Sequence, residues 1–273
     1  MKKKNIVLLT LLTALVVAAA IGFAFYSINI SSPKYPTIQF AEDTISVSVD
    51  ASEAELLQGV TATDPEDGDV TQSLVVEGLS NITKGNAVKV TYAAFDSQNH
   101  VTKAQRTVNF TDYTGPRFKL SAPLIFPRAN DINLLSIVGA EDPFDGDISG
   151  RVKYSIVTNG VLLSEEGEYE IKLMVTNRIG DTETLTLPVE ITSKNENSAN
   201  IKLSDYIVYI NVDDEFNSRD YVVGYTVDGE EYEGAGRLSI KSDVDTDEAG
   251  VYTVDYTYTG RPESRTRLIV VVE

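Results

Sequence analysis

Asp64-Pro65-Glu66-Asp67-Gly68-Asp69 crowds four acidic side chains into one short bend, and Asp142-Pro143-Phe144-Asp145-Gly146-Asp147 repeats it. The chemistry this could do is cation binding. Calcium takes 6 to 8 oxygen ligands, which clustered carboxylates and turn carbonyls can supply. The candidate ligands are Asp64, Glu66, Asp67 and Asp69, with Asp96 on a strand end able to approach. The competing reading is a plain turn. Proline starts it, Asp-Gly supplies the positive φ, and flanking aspartates bond to free amides. The turn is the stronger reading, because the spacing matches no dedicated calcium loop. If either copy binds calcium it is the first, since Phe144 replaces Glu66 and Asn177 replaces Asp96 in the second. No other cofactor is implied.

Asp243-Val244-Asp245-Thr246-Asp247 also opens like a calcium loop, but Glu248 stands where a glycine is needed and Val254 where the final glutamate belongs. It reads as a solvated loop. Nucleophilic catalysis would rest on His100, the single histidine, and no G-x-S-x-G, P-loop or H-E-x-x-H motif is present. No enzymatic activity is expected. The 14 tyrosines suggest a different chemistry. Tyr221, Tyr225, Tyr252, Tyr256 and Tyr258 lie on strands of the last third and are the candidate binding face for a protein or a glycan. The alternative is that tyrosine fills β-sheet surfaces in a chain without tryptophan.

The elements that position these residues follow from their surroundings. Leu56, Leu57, Val60 and Ala62 before the first acidic turn match Leu134, Leu135, Val138 and Ala140 before the second. Val70 and Leu74 behind it match Ile148 and Val152. Matching apolar spacing on both sides of a turn marks a repeated structural unit. Apolar residues alternate with polar ones in Tyr169, Ile171, Leu173, Val175 and in Tyr252, Val254, Tyr256, Tyr258, the pattern of strands with one face buried. A third unit keeps the framework, with Val212, Val223 and Tyr225 where Val49, Val60 and Ala62 fall in the first, and a hairpin turn at Asp228-Gly229-Glu230. The expected fold is all-β: three tandem immunoglobulin-like β-sandwiches over residues 37–112, 116–193 and 200–273, after one N-terminal transmembrane or signal helix in residues 1–30. Residues 31–36 read as an extended spacer, and residues 193–200 as a linker.

Gly59 to Thr71 (G-V-T-A-T-D-P-E-D-G-D-V-T) followed by Val88 to Asp96 (V-K-V-T-Y-A-A-F-D) resembles the bacterial surface immunoglobulin-like repeat, found in Gram-positive surface proteins and some pesticidal crystal toxins. Members commonly close the second block with T-D-x-x-G-N. Here that turn reads Phe95-Asp96-Ser97-Gln98-Asn99, and the glycine is missing. The resemblance implies fold and location, and carries no shared activity.

The rest of the chain bounds its location and partners. The formal charge is −18, which excludes nucleic acid as a partner. Residues 6–26 are uncharged and mostly apolar, behind Lys2, Lys3 and Lys4. A bilayer crossing needs about 20 such residues, and the lysines set the N-terminus inside. A single-pass anchor with the remainder outside the cell is one reading. Secretion after cleavage near Ala18-Ala19-Ala20 is the other. The chain has no cysteine, so each unit must hold itself by its core. The expected role is a non-catalytic adhesion, spacer or scaffolding module. A carbohydrate-binding surface protein and a structural subunit of a larger surface assembly are the alternatives.

Overall fold

The computed structural model describes residues 2–31, 34–80, 87–128, 132–157, 165–193 and 199–273. Residues 194–198 of the expected linker and 32–33 of the expected spacer lie outside the described residues. Helix α1 takes Lys2–Ser31, with side chains described for residues 13–27. Among the described residues no helix is long and apolar enough to cross a membrane. The chain divides into two compact units, Met1–Thr111 and Asp112–Glu273. The first holds one immunoglobulin-like β-sandwich and the second holds two.

The first sandwich runs β1 (Thr37–Phe40), β2 (Thr44–Val47), a one-turn helix α2 (Glu53–Leu56), β3 (Val60–Asp64), β4 (Gly68–Asp69), β5 (Val75–Leu79), β6 (Ala87–Phe95) and β7 (Val101–Phe110). Its sheets are β1-β3-β4 and β2-β7-β6-β5. The chain changes sheets between β1 and β2, so β2 pairs in parallel with β7, Thr44 opposite Thr107. Helix α2 is a turn that hydrophobic periodicity cannot see. Ser52 caps it by accepting from Glu55 N–H, and Glu55 reaches back to the Ser52 backbone, a capping box legible in Ser52-Glu53-Ala54-Glu55.

The second sandwich repeats this plan with β8 (Arg117–Leu120), β9 (Ile125–Pro127), β10 (Val138–Asp142), β11 (Gly146–Asp147), β12 (Lys153–Ile156), β13 (Gly167–Thr176) and β14 (Thr182–Thr192). Here β9 pairs in parallel with β14. The alternation read from sequence is the buried pattern: Tyr169, Ile171, Leu173 and Val175 point into a core with Phe118, Leu134 and Leu187. The first core differs at one telling place. Ile171 lies opposite Leu187, whereas Val90 lies opposite Arg106. That arginine is buried. Its guanidinium donates to Gln58 O (3.0 Å), Leu56 O and Tyr92 Oη (2.9 Å) and sits over the rings of Phe40 and Tyr92.

The third sandwich comprises β15 (Ala199–Leu203), β16 (Ile207–Ile210), β17 (Val222–Val227), β18 (Glu230–Glu233), β19 (Leu238–Ser242), β20 (Gly250–Tyr258) and β21 (Arg261–Val272), with β16 parallel to β21. The β17–β18 hairpin turns at Asp228 and Gly229, both at positive φ, as a two-residue hairpin loop requires. One sequence expectation is corrected here. Val223 does not take the buried place of Val60. The ladder slips between Lys202 and Leu203 so that Leu203 faces Val222. Val222 is buried and Val223 is turned out to solvent. This is the effect of a bulge, which adds one residue and flips the side-chain parity beyond it.

Candidate functional site

The first acidic turn is an Asx turn built on Asp64 at the end of β3. Asp64 Oδ1 accepts from Glu66 N–H (2.7 Å) and Asp67 N–H (3.0 Å), while Gly68 takes positive φ to bring β4 back. The turn packs on the one following β6. Asp67 accepts from the backbone N–H and hydroxyl of Ser97 at 2.6 and 2.9 Å. Glu66 accepts from Gln98 Nε2 (2.9 Å) and pairs with Lys34 (3.3 Å). Asp96 Oδ1 accepts from the N–H groups of Gln98 (2.9 Å) and His100 (2.7 Å), and its Oδ2 lies 2.6 Å from His100 Nδ1. Burial works to raise the Asp96 carboxyl, and these bonds more than offset it, leaving it below the usual carboxylate range. Asp69 turns instead to Thr71, whose hydroxyl and N–H hold its carboxyl low. The structure therefore brings Asp64, Glu66, Asp67 and Asp96 to one end of the sandwich and leaves Asp69 apart. Among the described residues no group of three or more His, Cys, Asp or Glu side chains is placed to hold a metal ion.

The second turn is built alike. Asp142 Oδ1 accepts from Phe144 N–H (2.9 Å) and Asp145 N–H (3.0 Å). Asp145 takes Arg178 N–H (2.9 Å) and pairs with the guanidinium groups of Arg151 and Arg178. Asn177 Nδ2 donates to Asp142 Oδ2 (2.8 Å) and to Tyr113 Oη (2.7 Å). The Tyr113 hydroxyl donates to Asp181 Oδ2 (2.8 Å), and its ring stacks on Phe144. Burial, with the Asp181 bond, pushes that hydroxyl's pKa well up.

The five tyrosines do not form a face, which corrects the expectation of a binding surface. Tyr225, Tyr256 and Tyr258 are buried in the third core. Tyr256 is 0% exposed and donates to Ser218 O (2.6 Å). Tyr225 stacks on Tyr232 and tilts against Tyr258. Tyr221 stacks on Phe216, half-buried. Tyr252 donates to Glu248 O (2.9 Å). The reason is the strand period of two: Val254, Tyr256 and Tyr258 share the inward side of β20. The third acidic stretch is also committed locally. Asp243 takes Thr253 N–H (2.6 Å) and hydroxyl (3.1 Å), and Asp245 takes Asp247 N–H (3.0 Å).

The feature that residue-type reasoning missed is the seam between the second and third sandwiches. Ile207, Ile269 and Val271 of the third belong to the same buried cluster as the second core. Phe118 N–H donates to Tyr209 Oη (2.9 Å), with the Arg117 guanidinium 4.9 Å above the Tyr209 ring. Arg117 pairs with Glu273, and Arg265 with Glu190. Arg267 is buried. It grips Asp255 through two bonds (2.6 and 3.1 Å) and lies 3.8 Å from Glu190 and 3.7 Å from Glu168. A signal was present. Leu268-Ile269-Val270-Val271-Val272 is apolar without alternation, as in a strand buried on both faces.

No family model matches the chain, and no curated protein matches it. Solved structures that are similar to it include the CBM51-2 and INT domains of Clostridium perfringens ZmpB in complex with GlcNAc, at 17% identity and TM-score 0.23, over 55% of this chain and 26% of that one. Mouse cadherin-23 EC22-24 is similar at 14% identity and TM-score 0.21, over 88% and 99%. Drosophila N-cadherin EC1-4 is similar at 12% identity and TM-score 0.23, over 88% and 75%. The chain spans 26% to 51% of the length of the first three structures it matches.

Proposed function

We propose that this chain is an exported, membrane-anchored bacterial surface protein that acts as a non-catalytic spacer or scaffold. The observation that carries this reading is the seam. The second and third sandwiches share a continuous buried cluster closed by Arg267 and Glu190. A linked pair of domains moves freely unless its interface is large and apolar, so such a seam suits a stiff element that holds something at a distance. The acids considered for chemistry are nearly all bonded to protein donors, which fits a structural role. The resemblance of Gly59–Thr71 and Val88–Asp96 to the bacterial surface repeat supports the same reading.

Anchoring rests on the sequence, in which residues 6–26 are uncharged and mostly apolar behind Lys2, Lys3 and Lys4. Leu15, Val16, Val17, Ile21, Phe23, Phe25 and Tyr26 are all exposed, around a helix with no polar face in that stretch. A helix that is apolar all round needs a buried environment, and a bilayer supplies one. Protease treatment of intact cells tests the reading. Residues 34–273 should be digested from outside and should stay with the membrane fraction through high-salt and carbonate washes. Protection from protease, or release by the washes, would defeat it.

A further inference from the structure

At the place of Arg106 the other two sandwiches carry leucine. Arg106 lies opposite Val90, as Leu187 lies opposite Ile171 and Leu268 opposite Val254. All three side chains are buried, and Arg106, at 2% exposed, brings a charge where the others bring none. Its two terminal nitrogens are spent on the Gln58 and Leu56 carbonyls and the Tyr92 hydroxyl. Its Nε is buried with no hydrogen-bond partner, and no carboxylate pairs with it among the described residues. A buried charge without a counterion is costly, and so is a buried donor without an acceptor.

The same residue lines a cavity of about 610 Å³. The cavity runs along β2 from Thr44 to Val47 and takes in Glu42, Glu55 and Gln58. Glu55 is committed to Ser52, accepting from its N–H and its hydroxyl (2.8 Å each). Strand β2 is the edge of its sheet. Thr107 N–H donates to Asp43 O (3.1 Å) and Thr111 N–H to Val47 O (3.0 Å). In this parallel pair Asp43, Ile45 and Val47 therefore bond to β7, and the N–H and C=O of Thr44 and Ser46 face the open side. Such an edge is a template for another strand, and Thr44-Ile45-Ser46-Val47 has neither the proline nor the lysine that blunts one. The equivalent strands are not open in this way. Strand β9 ends in Pro127. Strand β16 is already a docking strand, with Ile207 in the second core and Tyr209 Oη accepting from Phe118 N–H.

We propose that the cleft beside β2 is a docking site for an extended segment of a partner protein. The segment adds to the four-stranded sheet at β2, bonds to the backbone of Thr44 and Ser46, and sets an acidic side chain against Arg106. Main-chain bonds supply the affinity and the pocketed side chain the specificity, as in other strand additions. The carboxylate gives Nε its acceptor and Arg106 its counterion. Glu42, exposed at the cavity, favours a basic residue elsewhere in the same segment.

The test is selection from a random-peptide display library on the full chain in detergent. Recovered peptides are synthesised and their binding measured by fluorescence polarisation. They should carry an acidic residue among β-branched ones. Replacing that acid by its amide should weaken binding roughly tenfold or more, the worth of one charge-assisted bond. R106L installs the residue that the other sandwiches carry and should weaken binding by as much. S46P keeps the ladder to β7, because the Ser46 N–H faces the open side. It should abolish binding and leave the thermal midpoint unchanged. The amide peptide and S46P keep the test decisive even if R106L fails to fold. Failure to enrich any peptide, enrichment of acid-free peptides, or binding to S46P as tight as to the wild type would each overturn the site.

Discussion

Arg267→Met removes the cation at the centre of the seam while keeping most of the side chain's bulk. The Arg267 side chain is 7% exposed, Glu190 10% and Asp255 28%. After the change, Glu190 keeps only Arg265, and Asp255 loses both of its bonds. Removing one member of a buried ion pair costs about 3–5 kcal/mol. Asp255 retains some access to water, so the lower end, about 3 kcal/mol, applies here. For a cooperative unit of 150–250 residues, 1 kcal/mol moves the midpoint about 2–4 °C, which makes the shift roughly 6–12 °C. Scanning calorimetry of the full chain measures it. The second and third sandwiches should melt in one transition that moves down as a whole, because Glu190 lies on β14 and Arg267 on β21. Lys119→Met, at a pair with Glu141 that is exposed on both sides, is the control and should move it by no more than a surface pair is worth, about 1 kcal/mol. A shift below about 2 °C, or a transition that splits so that only the third sandwich moves, would refute the reasoning.

Two further outcomes follow from the same geometry. Burial raises the Tyr209 hydroxyl to about 12. Its stabilising effect is therefore whole below pH ~10, where the unfolded chain titrates, and is lost as pH rises toward about 12, at ~1.4 kcal/mol per pH unit. Urea unfolding from pH 9 to 12 should show Tyr209→Phe losing less stability than the wild type over that window, and equal losses would contradict the assignment. At Gly224 an added Cβ would stand 2.3 Å from the Tyr232 backbone oxygen. Gly224→Ala should cost at least the ~1–3 kcal/mol of an overpacked site, measured by denaturant melts, whereas Gly229→Ala meets no neighbouring atom and strains only its positive φ.

Much of the fold was legible because the strand period is short and the repeats check each other. Tyr169, Ile171, Leu173 and Val175 stand in the core where alternation put them. Gly68 and Gly146 take the positive φ the turns asked for. What alternation cannot see is a change of parity within a strand, and the bulge opposite Leu203 exchanged Val222 for Val223. Nor does residue type separate a tyrosine on a surface from one in a core. Tyr256 and Tyr258 looked like a face and are interior, since in a narrow sandwich an aromatic ring fills the space between sheets. The acidic turns were legible as turns from their Asp-Pro and Asp-Gly steps. The buried, unpaired Oδ2 of Asp64 was not, because its counterpart in Asp142 is met by Asn177 and Tyr113 from distant parts of the chain, which residue type does not reveal. Arg106 escaped notice for a related reason: its partners are the backbone oxygens of Leu56 and Gln58 and the Tyr92 hydroxyl, none of which residue type predicts.

The central claim is that the second and third sandwiches move as one stiff body. The chain has no cysteine, so two can be introduced for spin labels without background. Lys172 on β13 and Lys241 on β19 are both exposed. Pulsed electron–electron distance measurement on the K172C/K241C chain should give one narrow distribution, unchanged by salt that screens surface pairs. A broad or multi-peaked distribution would mean the seam opens, and would contradict the spacer reading at its base.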